Sequence, residues 1–310
     1  MGFTMDKILI VTHSNDYTAD YIIKKYPKVD FFRLNTDLIS NYSIEVTEER
    51  IEIFNNITNN NISTKNCVSV YYRRIMLPDF SEYNQMYSQV LTSDFISYIE
   101  GIIEVFSSKV LTRPSILKRA DNKVVQSQLA RKFKLKMPKS LISNSDESVR
   151  DFISPEKDYI VKPLSVGRVV TDENIKIVQT NLVNKSLEIP KLAKNPTYFQ
   201  SYIEKSYELR VTVINKNIFS VKIYSQDKVD WRSLNNDIQY ELTEIPKELK
   251  KKCLSLMKDL KINFAAFDFI FNNGEYYFLE LNANGQWLWL EEELDLDISL
   301  KIIEYLLEGD

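Results

Sequence analysis

Glycine is scarce, with six in 310 residues, too few for a G-x-G-x-x-G fingerprint or a Walker A loop. Nucleotide sites of the Rossmann and P-loop kinds are therefore absent. Histidine is rarer still. His13 alone would have to serve any Ser-His-Asp or Cys-His system, and no histidine-rich metal site can be assembled; we read it as structural. The two cysteines, Cys67 and Cys253, lack metal-ligand spacing and offer no disulfide framework, which suits ordinary thiols in a reducing compartment. No apolar run reaches the ~18 residues of a membrane span. The amino terminus runs from Asp6 and Lys7 into a strand-like KILIV, unlike a secretion signal, so we expect a cytoplasmic protein with no membrane partner. Neither sign of charge dominates: 40 basic against 43 acidic residues leave a net charge of −3. That gives no global field for nucleic acid and leaves room only for a local basic patch.

What is present suffices for a full core. With 44% hydrophobic and 27% charged residues, the length fits two or three domain-sized units. KILIVT at 7–12 and VDFFRL at 29–34 read as buried strands around a helix from Asp16 to Lys25, an α/β opening. Ile44 and Val46, then Ile51 and Ile53, look like a hairpin, followed by an asparagine-rich tract that reads as turn or loop. Val68–Arg74 is strand-like, and a long helical region covers about Ser81–Ser108, where Ile99, Ile102, Ile103 and Phe106 repeat at helix spacing as core or dimer face. Thr112-Arg113-Pro114 breaks the chain, and Asp121–Lys134 is a helix stopped by Pro138. Strands then follow at 159–162, 198–203, 208–214 and 218–224, with an amphipathic helix near Lys247–Leu260. A final strand pair, Phe264–Phe271 and Tyr276–Leu281, is joined through Asn272-Asn273-Gly274, a strong hairpin signal.

That hairpin carries the chemistry. Asp268 interrupts the apolar FAAFDFIF, while Glu280 and Asn282, two residues apart, project to one face. Buried carboxylates need compensation, and a divalent cation such as Mg²⁺, which shares oxygen ligands with substrate phosphates, supplies it. Pairing with arginines is the alternative. The metal reading expects a three-residue turn: Phe271 then pairs with Glu275, Asp268 lies opposite Phe278 on the face of Glu280, and Gly274 is the left-handed residue of a bulged hairpin. A two-residue turn would separate the acids. In YIVKPLSVGR, Lys162 ends a strand at a proline and Gly167 follows in a short loop, an arrangement able to meet phosphate. In YELRVTVI, Glu208, Arg210 and Thr212 alternate with Leu209, Val211 and Val213. Arg210 can clamp a phosphate or carboxylate, or form a simple salt bridge. Trp287 and Trp289 fit packing better than a substrate platform.

The order of these pieces, a lysine–glutamine helix, P-K-S, V-K-P, Q-S-Y-I-E, E-L-R and an aspartate ahead of E-L-N, resembles the ATP-grasp superfamily from about Arg113 to the carboxyl terminus. ELNANGQWLWLE, the YYRR of Tyr71–Arg74 and the DWR of Asp230–Arg232 are similar to the graspetide synthetases, the microviridin-ligase and grasp-with-spasm maturase group. The resemblance implies an α/β (α+β) ATP-grasp fold. Its parts would be an amino-terminal α/β domain (1–112), a central lid subdomain (113–199) and a catalytic subdomain (200–310), with ATP between the two β-rich subdomains. It implies Lys123, Lys162, Gly167 and Glu208 around the nucleotide, and Gln200, Ser201, Tyr202 and Ile203 as the adenine hinge. Asp268, Glu280 and Asn282 would be magnesium ligands. Arg210 would stabilise the transferred phosphoryl group or acyl phosphate, and Arg73, Arg74 and Arg232 would hold acidic side chains of a peptide. The phosphate loop SVGR departs from richer glycine loops by carrying a single glycine.

The implied reaction phosphorylates a Glu or Asp side chain of a ribosomally made precursor peptide, with a leader and an acidic, Thr-rich core. A Thr or Ser hydroxyl or a Lys amine then closes an ester or amide. The resemblance and the apolar helix together imply a homodimer. Two other readings stand beside this one: a ligase for small amino acids or a protein terminus, and a catalytically silent peptide-binding protein.

Overall fold

The computed structural model describes residues 7–107, 109–154, 156–165, 168–170, 175–177, 180–183, 194–227 and 237–308. Its contacts divide the chain into two compact units, neither continuous in sequence. The first holds residues 1–118, 261–264 and 286–310; the second holds 119–260 and 265–285.

In the first unit, β1 (Lys7–Thr12), β2 (Phe31–Asn35), β6 (Cys67–Tyr72) and β7 (Val110–Leu111) form a parallel sheet in the order β2-β1-β6-β7. The run Ile8–Val11 is fully buried, as expected of a parallel strand covered on both faces. Helix α1 (Tyr17–Lys25) joins β1 to β2. The carboxylate of Asp16 caps it by accepting from the amides of Thr18 and Ala19. A separate antiparallel sheet contains β3 (Tyr42–Val46), β4 (Ile51–Asn55) and β5 (Asn60–Ser63). The asparagine-rich tract is thus not all loop. Ile62 pairs with Ile53 and is fully buried, while the Asn55 side chain ties the turn by accepting from the amides of Ile57 and Thr58.

The long helix α2 (Gln85–Phe106) buries only Ile99, Ile102, Ile103 and Phe106, all in its last two turns. Pro114, read as a breaker, instead opens the short helix α3 (Pro114–Ala120), the first-turn position where its missing N–H costs nothing. No described helix is long and apolar enough to cross a membrane.

The second unit opens with α4 (Lys123–Lys132), capped by Asn122. It carries two principal sheets. One has the order β12-β9-β13-β8, from β8 (Ser140–Ser143), β9 (Tyr159–Lys162), β12 (Asn181–Leu182) and β13 (Thr197–Ser201). Helix α5 (Asp146–Phe152) lies against it through Val149, which packs on Phe199. A small hairpin, β10 (Arg168–Val170) with β11 (Ile175–Ile177), stands apart. The other principal sheet has the order β16-β15-β14-β17-β18, from β14 (Tyr207–Ile214), β15 (Asn217–Ser225), β16 (Ile238–Leu242), β17 (Phe264–Asn272) and β18 (Glu275–Asn282). The amphipathic α6 (Lys247–Leu260) buries Leu249, Cys253, Leu256, Met257 and Leu260. The chain then returns to the first unit as α7 (Leu288–Leu294) and α8 (Ile298–Leu307).

Candidate active site

The expected acidic face forms, by a route that differs from the expected one. The turn between β17 and β18 holds two residues, Asn273 and Gly274, both at positive φ, since Asn272 pairs with Glu275. This is the hairpin turn that Asn-Gly favours. Continued regularly, it would set Asp268 opposite Leu279 and send Glu280 to the other face. The register shifts by one between Phe269, opposite Phe278, and Asp268, opposite Glu280. Leu279 is therefore the extra residue of a β-bulge, and the odd residue sits in the strand rather than in the turn. Ala266, Asp268, Glu280 and Asn282 consequently share one face, while Phe267, Phe269 and Phe278 are fully buried on the other.

Every acid on this face has a resident cation. Arg210 of β14 donates through Nη1 to both Asp268 oxygens at 2.8 Å. Lys123 forms an ion pair with Glu280. Asn282 lies between them, its Nδ2 3.2 Å from an oxygen of each carboxylate. A lysine in the first turn of a helix opposes the helix dipole; at Lys123, Glu280 offsets that cost. Burial alone would raise the Glu280 pKa, but the charge and hydrogen bond of Lys123 hold it well below the usual carboxylate range.

One turn on from Lys123, Gln126 is buried. Its Nε2 donates to the carbonyls of Ala120 and Leu281 at 2.7 Å, and its Oε1 accepts from the Leu281 amide at 3.1 Å. This single side chain satisfies both backbone groups of Leu281 on the edge strand and so fixes Lys123 against Glu280. Asp121 receives the Ala283 amide at 3.4 Å; its pKa is raised, burial being the first cause. Gly285 is required sterically. A Cβ there would lie 2.6 Å from Ala266 Cβ, 2.9 Å from Arg210 Nη2 and 3.2 Å from Asn282 Cβ.

Lys162 ends β9. Its pKa is lowered, first by burial, with Lys123 adding to the effect and Glu280, Asp268 and Glu208 opposing it. An ammonium held at such a desolvation cost gains from an approaching phosphate. Gln200 is fully buried: its Nε2 donates to the Tyr198 hydroxyl at 3.1 Å, while its Oε1 has no partner among the described residues. The amides of Ser201 and Tyr202 donate to the carbonyls of Lys139 and Asp158, so the protein itself satisfies two of the expected hinge donors. Ile203 follows β13 and is half-buried. The Glu208 carboxylate accepts from Lys205 at 2.5 Å. Gly167 and Arg232 lie outside the described residues.

Arg73 and Arg74 belong to the first unit and differ sharply. Arg73, expected to face a substrate, is buried, with Nε and Nη2 on Asp16 at 2.5 and 3.1 Å and Nη1 on the Tyr71 hydroxyl at 2.8 Å. That hydroxyl also accepts from the indole of Trp287 at 3.1 Å, and Trp287 is packed out of solvent, as expected. Burial would raise the Asp16 pKa, but Arg73 with Thr12 and the Ala19 amide lowers it to about 2. Arg74 is exposed. Gln286, its amide oxygen turned to the guanidinium, accepts from Nη2 at 2.9 Å and Nε at 3.0 Å. Glu291 is a further buried acid, accepting from Tyr21, Lys25 and the Ser299 amide at the start of α8.

The donor set bears on which metal fits. Among the described residues no three His, Cys, Asp or Glu side chains are placed to hold an ion alone. Two carboxylates and an amide oxygen suit a hard cation that completes its shell with phosphate oxygens and water, and the face has cations on both sides to meet those phosphates. The unpartnered Gln200 oxygen is an acceptor in want of an N–H donor, such as an exocyclic amine.

Carboxylates and an amide on a β-hairpin, with lysines from a helix and a second sheet, suit the phosphates of a nucleotide. Residues 120–306 match the model of the RimK-like ATP-grasp domain; the chain belongs to this family and is an ATP-dependent ligase. Among solved structures, the RiPP-associated ATP-grasp ligase of Chryseobacterium gregarium, in complex with ADP and a leader and core peptide, is 27% identical. Its TM-score is 0.86, over 97% of this chain and 96% of that one. The macrocyclase MdnC of Microcystis aeruginosa MRC, bound with precursor peptide MdnA, is 28% identical, with a TM-score of 0.85 over 97% and 99%. Tetrahydromethanopterin:alpha-L-glutamate ligase of Methanocaldococcus jannaschii is 23% identical over 224 residues, 69% of this chain and 74% of the relative.

Proposed function

We propose that this ligase closes side-chain rings in a ribosomally made precursor peptide. The observation that carries the reading is the similarity, over nearly the whole of both chains, to ligases bound to leader and core or precursor peptides. The acid face supports it: Asp268, Glu280 and Asn282 are set among Arg210, Lys123 and Lys162 as phosphoryl transfer requires.

In the reaction, a Glu or Asp side-chain oxygen of the peptide attacks the γ-phosphorus of ATP, the bond to the bridging oxygen breaks, and ADP leaves. A Thr or Ser hydroxyl, or a Lys amine, then attacks the carbonyl carbon of the acyl phosphate. It gives up its proton, phosphate departs with the former carboxylate oxygen, and the peptide has lost one water per ring. Lys162 and Lys123 hold the phosphates, and Arg210 meets the charge that develops on the transferred group. Gln200 and Ile203 are assigned to the adenine, with Gly167 beside the phosphates; Ser201, Tyr202 and Glu208 shape that wall. Asp268, Glu280 and Asn282 would hold Mg²⁺, which when bound screens the charge of the phosphate oxygens. Arg74 and Arg232 are assigned to acidic side chains of the peptide. Arg73, committed to Asp16, is a positioning residue that anchors the backbone presenting Arg74.

We also keep the division into 1–112, 113–199 and 200–310 and a cytoplasmic location; the two separate principal sheets of the second unit support a boundary near residue 200, while residues 286–310 group with the first unit. A homodimer is supported by α2, whose first fourteen residues bury nothing while Met86, Tyr87 and Val90 stand exposed. An isolated helix of that length is marginal in water.

The test is to incubate the protein with ATP, Mg²⁺ and the precursor peptide encoded beside its gene, and to weigh the peptide. We expect one water lost per ring, and no loss with Asp268→Asn or Glu280→Gln. ATP consumed while the peptide mass stays unchanged would sink the peptide assignment and favour a small amino acid acceptor. A chain that binds peptide but consumes no ATP would be the silent binding protein.

A further inference from the structure

The strongest unassigned surface is electropositive and lies on the second unit. The face of α6 directed away from its buried side carries Lys247, Lys250, Lys251 and Lys258, all exposed, around the half-buried Leu254 and Ser255. These residues line a shallow groove of about 390 Å³. The carboxyl-terminal ends of α3 and α4 continue the patch: Arg119 of α3 and Lys132 of α4 share Asp259 of α6, and Lys252 donates to the Lys134 carbonyl at 2.9 Å. Arg119 and Lys132 remain more than half exposed, and Arg131 beside them is exposed as well. Against these cations the three helices carry only two carboxylates, Glu248 and Asp259, and Asp259 is already bridged twice. In a chain of net charge −3, such a concentration is local and specific to one face.

We propose that this face docks an acidic stretch of the peptide substrate. The spacing suits an extended chain. From Lys247 to Lys258 the stripe runs about 16 Å at the rise of an α-helix, the reach of roughly five extended residues. Carboxylates on alternate residues of such a chain recur every ~6.6 Å, close to the ~5.4 Å between successive helical turns. Nucleic acid fits less well: the groove offers no aromatic ring for a base to stack on, the stripe on α6 consists of point-charge lysines rather than forked arginines, and the whole molecule is net negative. That the acidic chain is the substrate rests on the peptide-ligase reading. The docking surface itself does not.

The experiment uses the full chain without ATP. The probe is a fluorescein-labelled peptide of about a dozen residues alternating Glu and Thr, with a single-stranded RNA of equal charge as a second probe. Anisotropy titrations at low and moderate salt compare three proteins. They are the unchanged chain, K247E/K250E/K251E/K258E, and a control of equal charge change placed elsewhere, K24E/K28E/K65E/K216E. We expect the patch variant to bind the peptide at least about tenfold more weakly and with a shallower salt dependence, and the control to change by less than about twofold. Equal losses in both variants would reduce the effect to net charge and overturn the proposal, as would tighter binding of the RNA or no binding by the unchanged chain. All eight lysines are exposed, so matching thermal melts separate docking from misfolding. Ring closure, assayed independently by peptide mass, tests the ligase reading without touching this one.

Discussion

Gly285 shows how small the tolerances are around Arg210. A methyl group there meets the arginine, Asn282 and the sheet backing at Ala266 within 3.2 Å, so Gly285→Ala must displace the guanidinium from Asp268. We expect kcat to fall by about two orders of magnitude, the scale of a ~1 Å misplacement, with KM for ATP moving less than about threefold. Adding Ala266→Gly should recover thermal stability but not kcat, because Arg210 remains displaced. Steady-state kinetics beside a thermal melt checks both. The Asp16–Arg73 pair makes a different prediction. Asp16→Ala takes the carboxylate from a buried guanidinium and should cost about 3–5 kcal/mol in denaturant titrations. Because the folded Asp16 pKa is depressed from 3.8 to about 2, its contribution, roughly 2 kcal/mol, is complete above pH 4 and drains away as the pH falls from 4 towards 2. Asp16→Ala should flatten that part of the stability curve.

At the scale of elements, Leu279 and Gln126 separate what could be read in the sequence from what could not. Carboxylates in an apolar strand announce themselves, so Asp268, Glu280 and Asn282 were legible as one constellation. The place of the odd residue was not: a bulge in β18 and a longer turn satisfy the same face requirement, and only the Asn-Gly preference for two-residue turns separates them. The two can be told apart by deletion. Removing Leu279 straightens the strand yet leaves Asp268 opposite Glu280, so most Mg-dependent ATP turnover should survive. Removing Leu281 sends Asn282 to the phenylalanine side and should abolish it; turnover assays of the two deletions decide. The Gln126 clamp and the partner of Arg73 were illegible for another reason. Gln126 meets Leu281 155 residues away and Arg73 meets Asp16 57 residues away, and no periodicity records such meetings. The asparagine tract hid β5 because one buried residue, Ile62, outweighs its polar neighbours.

For the whole molecule, the α/β opening, the run of strands and the ATP-grasp order were all legible, because each needs only local pattern and sequence order. The division into units was harder to see, since residues 261–264 and 286–310 return to the first unit. Assembly is the prediction that belongs here. If the first half of α2 is covered by a second copy, Met86→Glu with Val90→Glu should convert a dimer to a monomer in sedimentation velocity. A monomeric unchanged chain would remove the argument for a dimer.

The pairs Arg210–Asp268 and Lys123–Glu280 bear on how the proposed metal site would fill. On the proposed assignment of Mg²⁺ to Asp268, Glu280 and Asn282, an ion arriving alone would have to displace Arg210 and Lys123 with nothing to receive them, whereas one arriving on a triphosphate would bring the anions that take both. Calorimetry should therefore register little Mg²⁺ binding without nucleotide and strong mutual enhancement with it. Lys123→Met, by removing the cation at Glu280, should raise the affinity for the bare ion while lowering that for ATP. An enzyme wired this way charges itself only when its fuel is present.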